Sequence, residues 1–167
     1  MARSFAVVAL IVSAFCFSSV LAARKAPTHG ADLFTVVGKI YCDPCHFEFE
    51  SRLSKPLDGV KVTLICRKEE SDNVTYVKEA TTDKNGVYKI SVGGDHEEEI
   101  CEVNADSNGK GECSLVMANK SDRIGLTKNM GVSSLVRFVN PLGFMTKAID
   151  SQCEKVISEL GLDKLDD

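Results

Sequence analysis

From residue 33 onward the chain is built of short runs in which apolar and polar residues alternate. Over residues 33–42, Phe34, Val36, Gly38 and Ile40 share one face. Val60, Val62, Leu64 and Cys66 alternate with Lys61, Thr63, Ile65 and Arg67, and Tyr88, Ile90 and Val92 alternate with Lys89 and Ser91. Cys101, Val103 and Ala105 keep the same period, as do Ile124 and Leu126. Successive side chains of an extended strand point to opposite faces, so this period marks half-buried antiparallel strands. Turn chemistry separates the runs: Leu57-Asp58-Gly59, Asp83-Lys84-Asn85-Gly86, Gly93-Gly94-Asp95 and Ser107-Asn108-Gly109. Strands at this spacing predict a mainly β domain, an antiparallel β-barrel or sandwich.

The pattern changes at both ends. Near the C-terminus, Cys153, Val156, Ile157 and Leu160 fall at i, i+3, i+4 and i+7, one apolar stripe of a helix. Ser151 with Glu154 forms a capping box at its start, and Gly161 offers a stop. At the N-terminus, Arg3 precedes a nearly unbroken apolar run over residues 5–17, and Val20-Leu21-Ala22 supplies a cleavage site. That is the layout of a secretory signal peptide, too short to span a bilayer comfortably. The expected organisation is a signal peptide at 1–22, a polar leader at 23–32, the β domain at 33–162 and an acidic tail at 163–167. The expected location is the extracellular space, with no membrane span after signal cleavage.

Composition then narrows the chemistry. The formal net charge is −4 and becomes more negative once Arg3 leaves with the signal. An acidic chain without a basic stripe is poorly suited to nucleic acid. Of the seven cysteines, Cys16 lies in the signal. Cys42, Cys45, Cys66, Cys101, Cys113 and Cys153 remain, an even set that in a secreted chain reads as three disulfides. Spacing alone leaves the pairing open. Cys42 and Cys45 are three apart in extended chain and point to opposite faces, so they bridge more readily to different partners than to each other.

The segment Phe34-Thr35-Val36-Val37-Gly38-Lys39-Ile40-Tyr41-Cys42-Asp43-Pro44-Cys45 resembles the opening signature of the olive major pollen allergen (Ole e I-like) family. The likeness continues through Leu57-Asp58-Gly59-Val60-Lys61-Val62, through residues 82–90 and 95–101, and through Asn140-Pro141-Leu142-Gly143-Phe144 to Cys153. Val37 stands where the family usually has an acidic or amide residue, and His46 where it usually has arginine. The resemblance implies the pairing Cys42–Cys113, Cys45–Cys153 and Cys66–Cys101. On the chain-entropy estimate, the last bridge alone would contribute about 3–4 kcal/mol. The resemblance also implies secretion by plant reproductive tissue, no established catalytic activity, and a link to pollen hydration, pollen-tube growth and receptor kinases. The glycine turns before Val60 and Val87 are similar, more weakly, to transthyretin-like β-sandwich modules.

The reactive-looking motifs have simpler readings. Cys42-Asp43-Pro44-Cys45-His46 matches the C-x-x-C-H pattern of haem attachment, but it ends a strand in a chain with three histidines. A redox pair would need an exposed thiolate at a helix N-terminus, which the following FEFESRL does not obviously open. A zinc site would need free thiolates in an oxidising compartment. Residues 95–99 (Asp95-His96-Glu97-Glu98-Glu99) read as a solvated turn rather than a metal cluster. Asn104-x-Asp106-x-Asn108-Gly109 begins like a calcium loop, but Leu115 stands where the bidentate Glu belongs. No G-x-S-x-G or H-E-x-x-H occurs. Asn73-Val74-Thr75 and Asn119-Lys120-Ser121 are N-glycosylation sequons.

The expected function is therefore extracellular binding by a non-catalytic glycoprotein with no cofactor. Its expected partner is an extracellular protein such as a receptor-kinase ectodomain. The alternatives are a cell-wall polysaccharide partner in a structural role and, behind that, a secreted redox protein using Cys42 and Cys45.

Overall fold

The computed structural model describes residues 33–106, 108–117 and 121–164. The expected signal peptide and leader, Asn119 and residues 165–167 of the expected tail lie outside the described residues. Strand β1 (Leu33–Asp43) organises the domain. Its alternation buries Phe34, Val36 and Ile40 completely, while Thr35, Val37 and Lys39 stay half-buried.

Along its first half β1 pairs antiparallel with β5 (Val87–Gly93). Along its second half it pairs antiparallel with the two-residue β2 (Lys55–Pro56) and parallel with β10 (Leu142–Thr146), which in turn carries β7 (Cys113–Val116). The facing sheet runs in the order β4 (Val74–Thr81), β3 (Lys61–Lys68), β6 (Glu99–Ala105) and β8 (Ser121–Arg123). Val62, Leu64, Cys66 and Val103 of this sheet meet Phe34, Val36, Ile40, Ile90 and Val92 of the first in one core. The molecule is a sandwich rather than a closed barrel.

Two features depart from the sequence pattern. The sheet around β1 is mixed: β9 (Val136–Phe138) also runs parallel to it, pairing Thr35 with Val136 and Val37 with Phe138. β9 and β10 are one extended run alongside β1, broken near Pro141, which has no N–H to give the ladder. The pattern hid β9 because its polarity is inverted: Arg137 is buried and Phe138 is 77% exposed. Ile124 and Leu126 are the second departure. The strand ends at Arg123, although Ile124 N–H still donates to the Cys101 carbonyl (2.9 Å) and Leu126 is buried.

Turns fix the register where the sequence placed them. Asp83 Oδ1 accepts from the N–H groups of Asn85 and Val87 (both 2.9 Å), and Gly86 takes a φ of +74°. The Gly86 carbonyl accepts from Ile40 N–H (2.8 Å), and a Cβ at Gly86 would strike the Ile40 carbonyl. Thr82 is buried, donating its hydroxyl to the Leu57 carbonyl (2.6 Å) and accepting from Val60 N–H (2.9 Å).

Gly38 has a packing reason. It lies opposite Tyr88 in the β1–β5 ladder, and the Tyr88 ring covers it so closely that any Cβ would run into the phenol. Among the described residues the Tyr88 hydroxyl is the buried side-chain polar atom with no hydrogen-bond partner, and burial, followed by Asp122, pushes its pKa up. An unpaired buried hydroxyl costs about 1 kcal/mol or more. Tyr88→Phe is therefore expected to stabilise the fold by about 1 kcal/mol, whereas Gly38→Ala costs about 2 kcal/mol through overpacking. Urea denaturation midpoints of the two variants check both signs.

Helix α1 (Cys153–Glu159) is short. Cys153 and Val156 are buried, Ile157 is half-buried and Leu160 is exposed, so the stripe is buried only over its first turn. The Ser151–Glu154 capping box does not form. Asp150 does the capping instead: its carboxylate accepts from Gln152 N–H (2.8 Å) and its carbonyl from Cys153 N–H (3.0 Å). Gly161, at φ +70°, ends the helix with its N–H on the Ser158 carbonyl (3.1 Å).

Candidate binding surface at the disulfide-linked end

The segment Cys42-Asp43-Pro44-Cys45-His46 leaves the end of β1 and turns sharply. Asp43 is fully buried, and its two carboxylate oxygens accept from the N–H groups of Cys45 (2.8 Å) and Glu48 (2.9 Å). His46 and Glu48 both sit in the left-handed region, at φ +59° and +61°. Such backbone costs energy for residues with a Cβ and persists only where neighbours enforce it. The Asp43 clamp supplies one restraint, and a hydrogen bond between His46 Nε2 and the Thr146 carbonyl (2.6 Å) supplies the other. Phe47 and Phe49 stack beyond it, with ring centroids 5.4 Å apart.

The cysteines then tie separate elements to this turn. Cys42 is bonded to Cys113 at the start of β7, and Cys45 to Cys153 at the start of α1. Cys66 and Cys101 are bonded across the β3–β6 ladder. Cys42 and Cys45 thus carry no free thiol for haem addition or dithiol exchange, and His46 is engaged with backbone. The Pro44 carbonyl accepts from Asp150 N–H (3.0 Å), and Arg52 grips Glu159 with Nε at 2.6 Å and Nη2 at 3.3 Å from its carboxylate. The hydrogen bond from Arg52 holds the Glu159 carboxyl below the usual carboxylate range.

Between these elements lies a groove. Two adjoining hollows, of about 550 and about 410 Å³, share Pro44, Lys55, Glu112, Thr146 and Asp150 as walls. Leu53, Pro56, Leu57 and the 62% exposed Ile149 give it apolar surface, and Lys147 and Lys110 add positive charge at its rim. The Lys110 ammonium also donates to the Asp58 carbonyl. Hollows of this size suit a peptide segment or small ligand. Among the described residues, none that lines it is aromatic.

On the reverse of β1, Tyr41 is buried with its hydroxyl 3.9 Å from Met117 Sδ. Burial first, then Asp43, Glu50 and Glu48, push its pKa up to about 12, so the phenol stays protonated at neutral pH. Gly143 lies opposite Tyr41 in the β1–β10 ladder, and a Cβ there would meet both Met117 and the tyrosine ring.

The other sequence-derived candidates are dispersed. Asn73 is exposed in the β3–β4 connection, where its carbonyl accepts from Lys68 N–H (3.0 Å). The calcium-like segment is a turn in which Asp106 Oδ1 accepts from the backbone N–H (3.2 Å) and side-chain amide (3.1 Å) of Asn108. Residues 95–99 divide: Asp95, Glu97 and Glu98 are exposed, while His96 and Glu99 fold inward. Sequence reasoning did not single out Asp43, Asp150 or Arg137. For Asp43 a signal was present, since an Asp two residues before a backbone N–H is a side-chain turn former.

These features define a class: a disulfide-stapled β-sandwich whose ordered surface is a groove locked by two bridges at one end of the sheet. The chain belongs to the family described as pollen protein Ole e 1 like, which matches residues 32–161. An Olee1-like protein of Betula pendula is 44% identical over 153 residues, covering 89% of this chain and 90% of its own. The anther-specific protein LAT52 of Solanum lycopersicum is 38% identical over 154 residues, covering 92% and 94%. The crystal structure of the major plantain pollen allergen Pla l 1 superposes with a TM-score of 0.64 at 31% identity, covering 72% of this chain and 99% of that one.

Proposed function

We propose that this protein is a secreted, non-catalytic pollen protein that acts by binding an extracellular protein partner, a receptor-kinase ectodomain, in pollen hydration or tube growth. Relatives named pollen-specific or anther-specific support the setting. The observation that carries the binding reading is the groove itself, whose walls are pre-ordered by Cys42–Cys113, Cys45–Cys153 and the Asp43 clamp. Pre-ordering lowers the entropic cost of association. Its mixed charged rim and apolar floor suit a protein surface, and it lacks an aromatic ring on which a sugar could stack.

The test is surface-immobilised mature protein probed with a panel of pollen receptor ectodomains and, in parallel, a cell-wall glycan array. Ile149→Asp and Lys55→Glu are expected to weaken ectodomain binding at least about tenfold, as a lost hot-spot contact does. Val77→Asp, on the exposed β4 face, should leave it unchanged. Binding to glycans alone, or equal binding by the groove variants, would overturn the reading.

We also propose that Asn73 carries an N-glycan, supported by its exposure away from the groove. Asn73→Gln is expected to remove one glycan's mass from the secreted protein. An unchanged intact mass counts against it.

A further inference from the structure

The corner where His96 and Glu99 fold inward holds a second set of donors. Cys66 and Cys101 are register partners on β3 and β6, and Tyr76 on β4 faces Cys66 from the other side. Alternation puts Glu99 on the same face of β6 as Cys101, two residues away. The turn after β5 brings His96 back over this row: its N–H donates to the Leu126 carbonyl (3.0 Å), and its ring meets Tyr76 edge-on at 5.2 Å. The His96 and Glu99 side chains are only 9% and 17% exposed, and they hydrogen-bond each other at 2.6 Å.

One donor atom from each of Cys66, His96, Glu99 and Cys101 lies within 4.8 Å of every other. Two sulfurs, an imidazole nitrogen and a carboxylate oxygen are a donor set that tetrahedral zinc accepts. With zinc–sulfur bonds of about 2.3 Å and zinc–nitrogen bonds of about 2.0 Å, tetrahedral donors stand about 3–4 Å apart. The two sulfurs must separate, because they are bonded to each other, and His96 and Glu99 must open from their 2.6 Å hydrogen bond. While that bond stands, neither sulfur is a thiolate ligand.

We propose that this corner is a reductively gated zinc site. A dithiol reduces the Cys66–Cys101 bond, giving two thiols while the dithiol itself becomes a disulfide. Binding of one Zn²⁺ then displaces the two thiol protons, with His96 and Glu99 completing the coordination. Re-oxidation by a disulfide, which takes two electrons from the thiolates and two protons from water to become two thiols, reforms the Cys66–Cys101 bond and releases Zn²⁺. The gate makes two folded forms of the domain: one is crosslinked by sulfur and empty, the other is crosslinked by metal.

The full mature chain, reduced with a dithiol and freed of it under argon, is titrated with Co²⁺ as a spectroscopic probe. Expected are one ion per chain, a sulfur-to-cobalt charge-transfer band with tetrahedral d–d absorption, and protection of Cys66 and Cys101 from alkylation by peptide mapping. The oxidised chain should show none of these. His96→Ala and Glu99→Ala should each weaken Co²⁺ binding tenfold or more. If reduction unfolds the chain, the metal should restore its β circular-dichroism signal. No tetrahedral spectrum, protection falling on other cysteines, undiminished binding in both variants, or a lost fold that metal does not restore would each overturn the proposal.

Discussion

Replacing Cys45 and Cys153 together by serine is expected to destabilise the domain by about 4–5 kcal/mol, the largest effect of any change at the disulfide-linked end. The bridge closes a sequence separation of 108 residues, and the entropy removed from the unfolded chain grows with that length. Little else holds the helix. Its seven residues are too few for independent stability. Val156 is its other buried residue, and the Arg52–Glu159 pair is exposed and screened by solvent, so it adds little. The variant should therefore lose α1 before it loses the sheets. Hydrogen exchange would quicken across residues 146–160 while β1, β3 and β5 stay protected, and denaturation would begin with a shallow local phase. Because Thr146, Lys147, Ile149 and Asp150 form one wall of the groove, partner binding should fall with helix docking. Unchanged exchange over residues 146–160 would show that backbone contacts alone, such as Asp150 N–H to the Pro44 carbonyl, seat the segment.

The strands that were legible in the sequence are those whose alternation is also a burial pattern. In β3, Val62, Leu64 and Cys66 are buried and their neighbours are not, and β5 repeats this with Tyr88, Ile90 and Val92. Strand β4 left no such mark. It is an edge strand whose Val74 and Val77 face solvent, so its pairing with β3 was invisible to a rule that reads burial. In α1 the apolar stripe was legible but its extent was not, because Leu160 is exposed although it falls on the stripe. The groove was illegible for another reason. It is assembled from the end of β1, from β2, from the start of β7 and from the approach to α1, segments that only the tertiary fold and the bridges bring together. Residues 95–99 show the same limit: as a string they are an acidic turn, and only the fold sorts His96 and Glu99 from their exposed neighbours.

Arg137→Met is expected to cost about 3–4 kcal/mol, although it replaces a charge by an apolar side chain of similar length inside the protein. Arg137 is 5% exposed, and each nitrogen of its guanidinium donates to a backbone carbonyl. Nε donates to the Gly125 carbonyl (3.0 Å), Nη2 to the Thr127 carbonyl (2.8 Å) and Nη1 to the Ser134 carbonyl. The same group lies 5.0 Å from the Phe34 ring centroid, in cation–π contact. One side chain on β9 therefore holds both ends of the connection over residues 124–135 against β1. Methionine would keep the packing on Phe34 but leave three carbonyls without their donor, and a carbonyl so stranded must find water or move. Arg137→Lys should recover only part of the loss, about half, because a single ammonium cannot reproduce the planar fork that spans three acceptors. Urea denaturation ranks the three proteins, and exchange of the amides over residues 124–135 locates the effect. If Arg137→Met stays within about 1 kcal/mol of the parent, the connection is held by Leu126 and Leu135 packing on the core, and the buried cation is a consequence of its position rather than a cause of it.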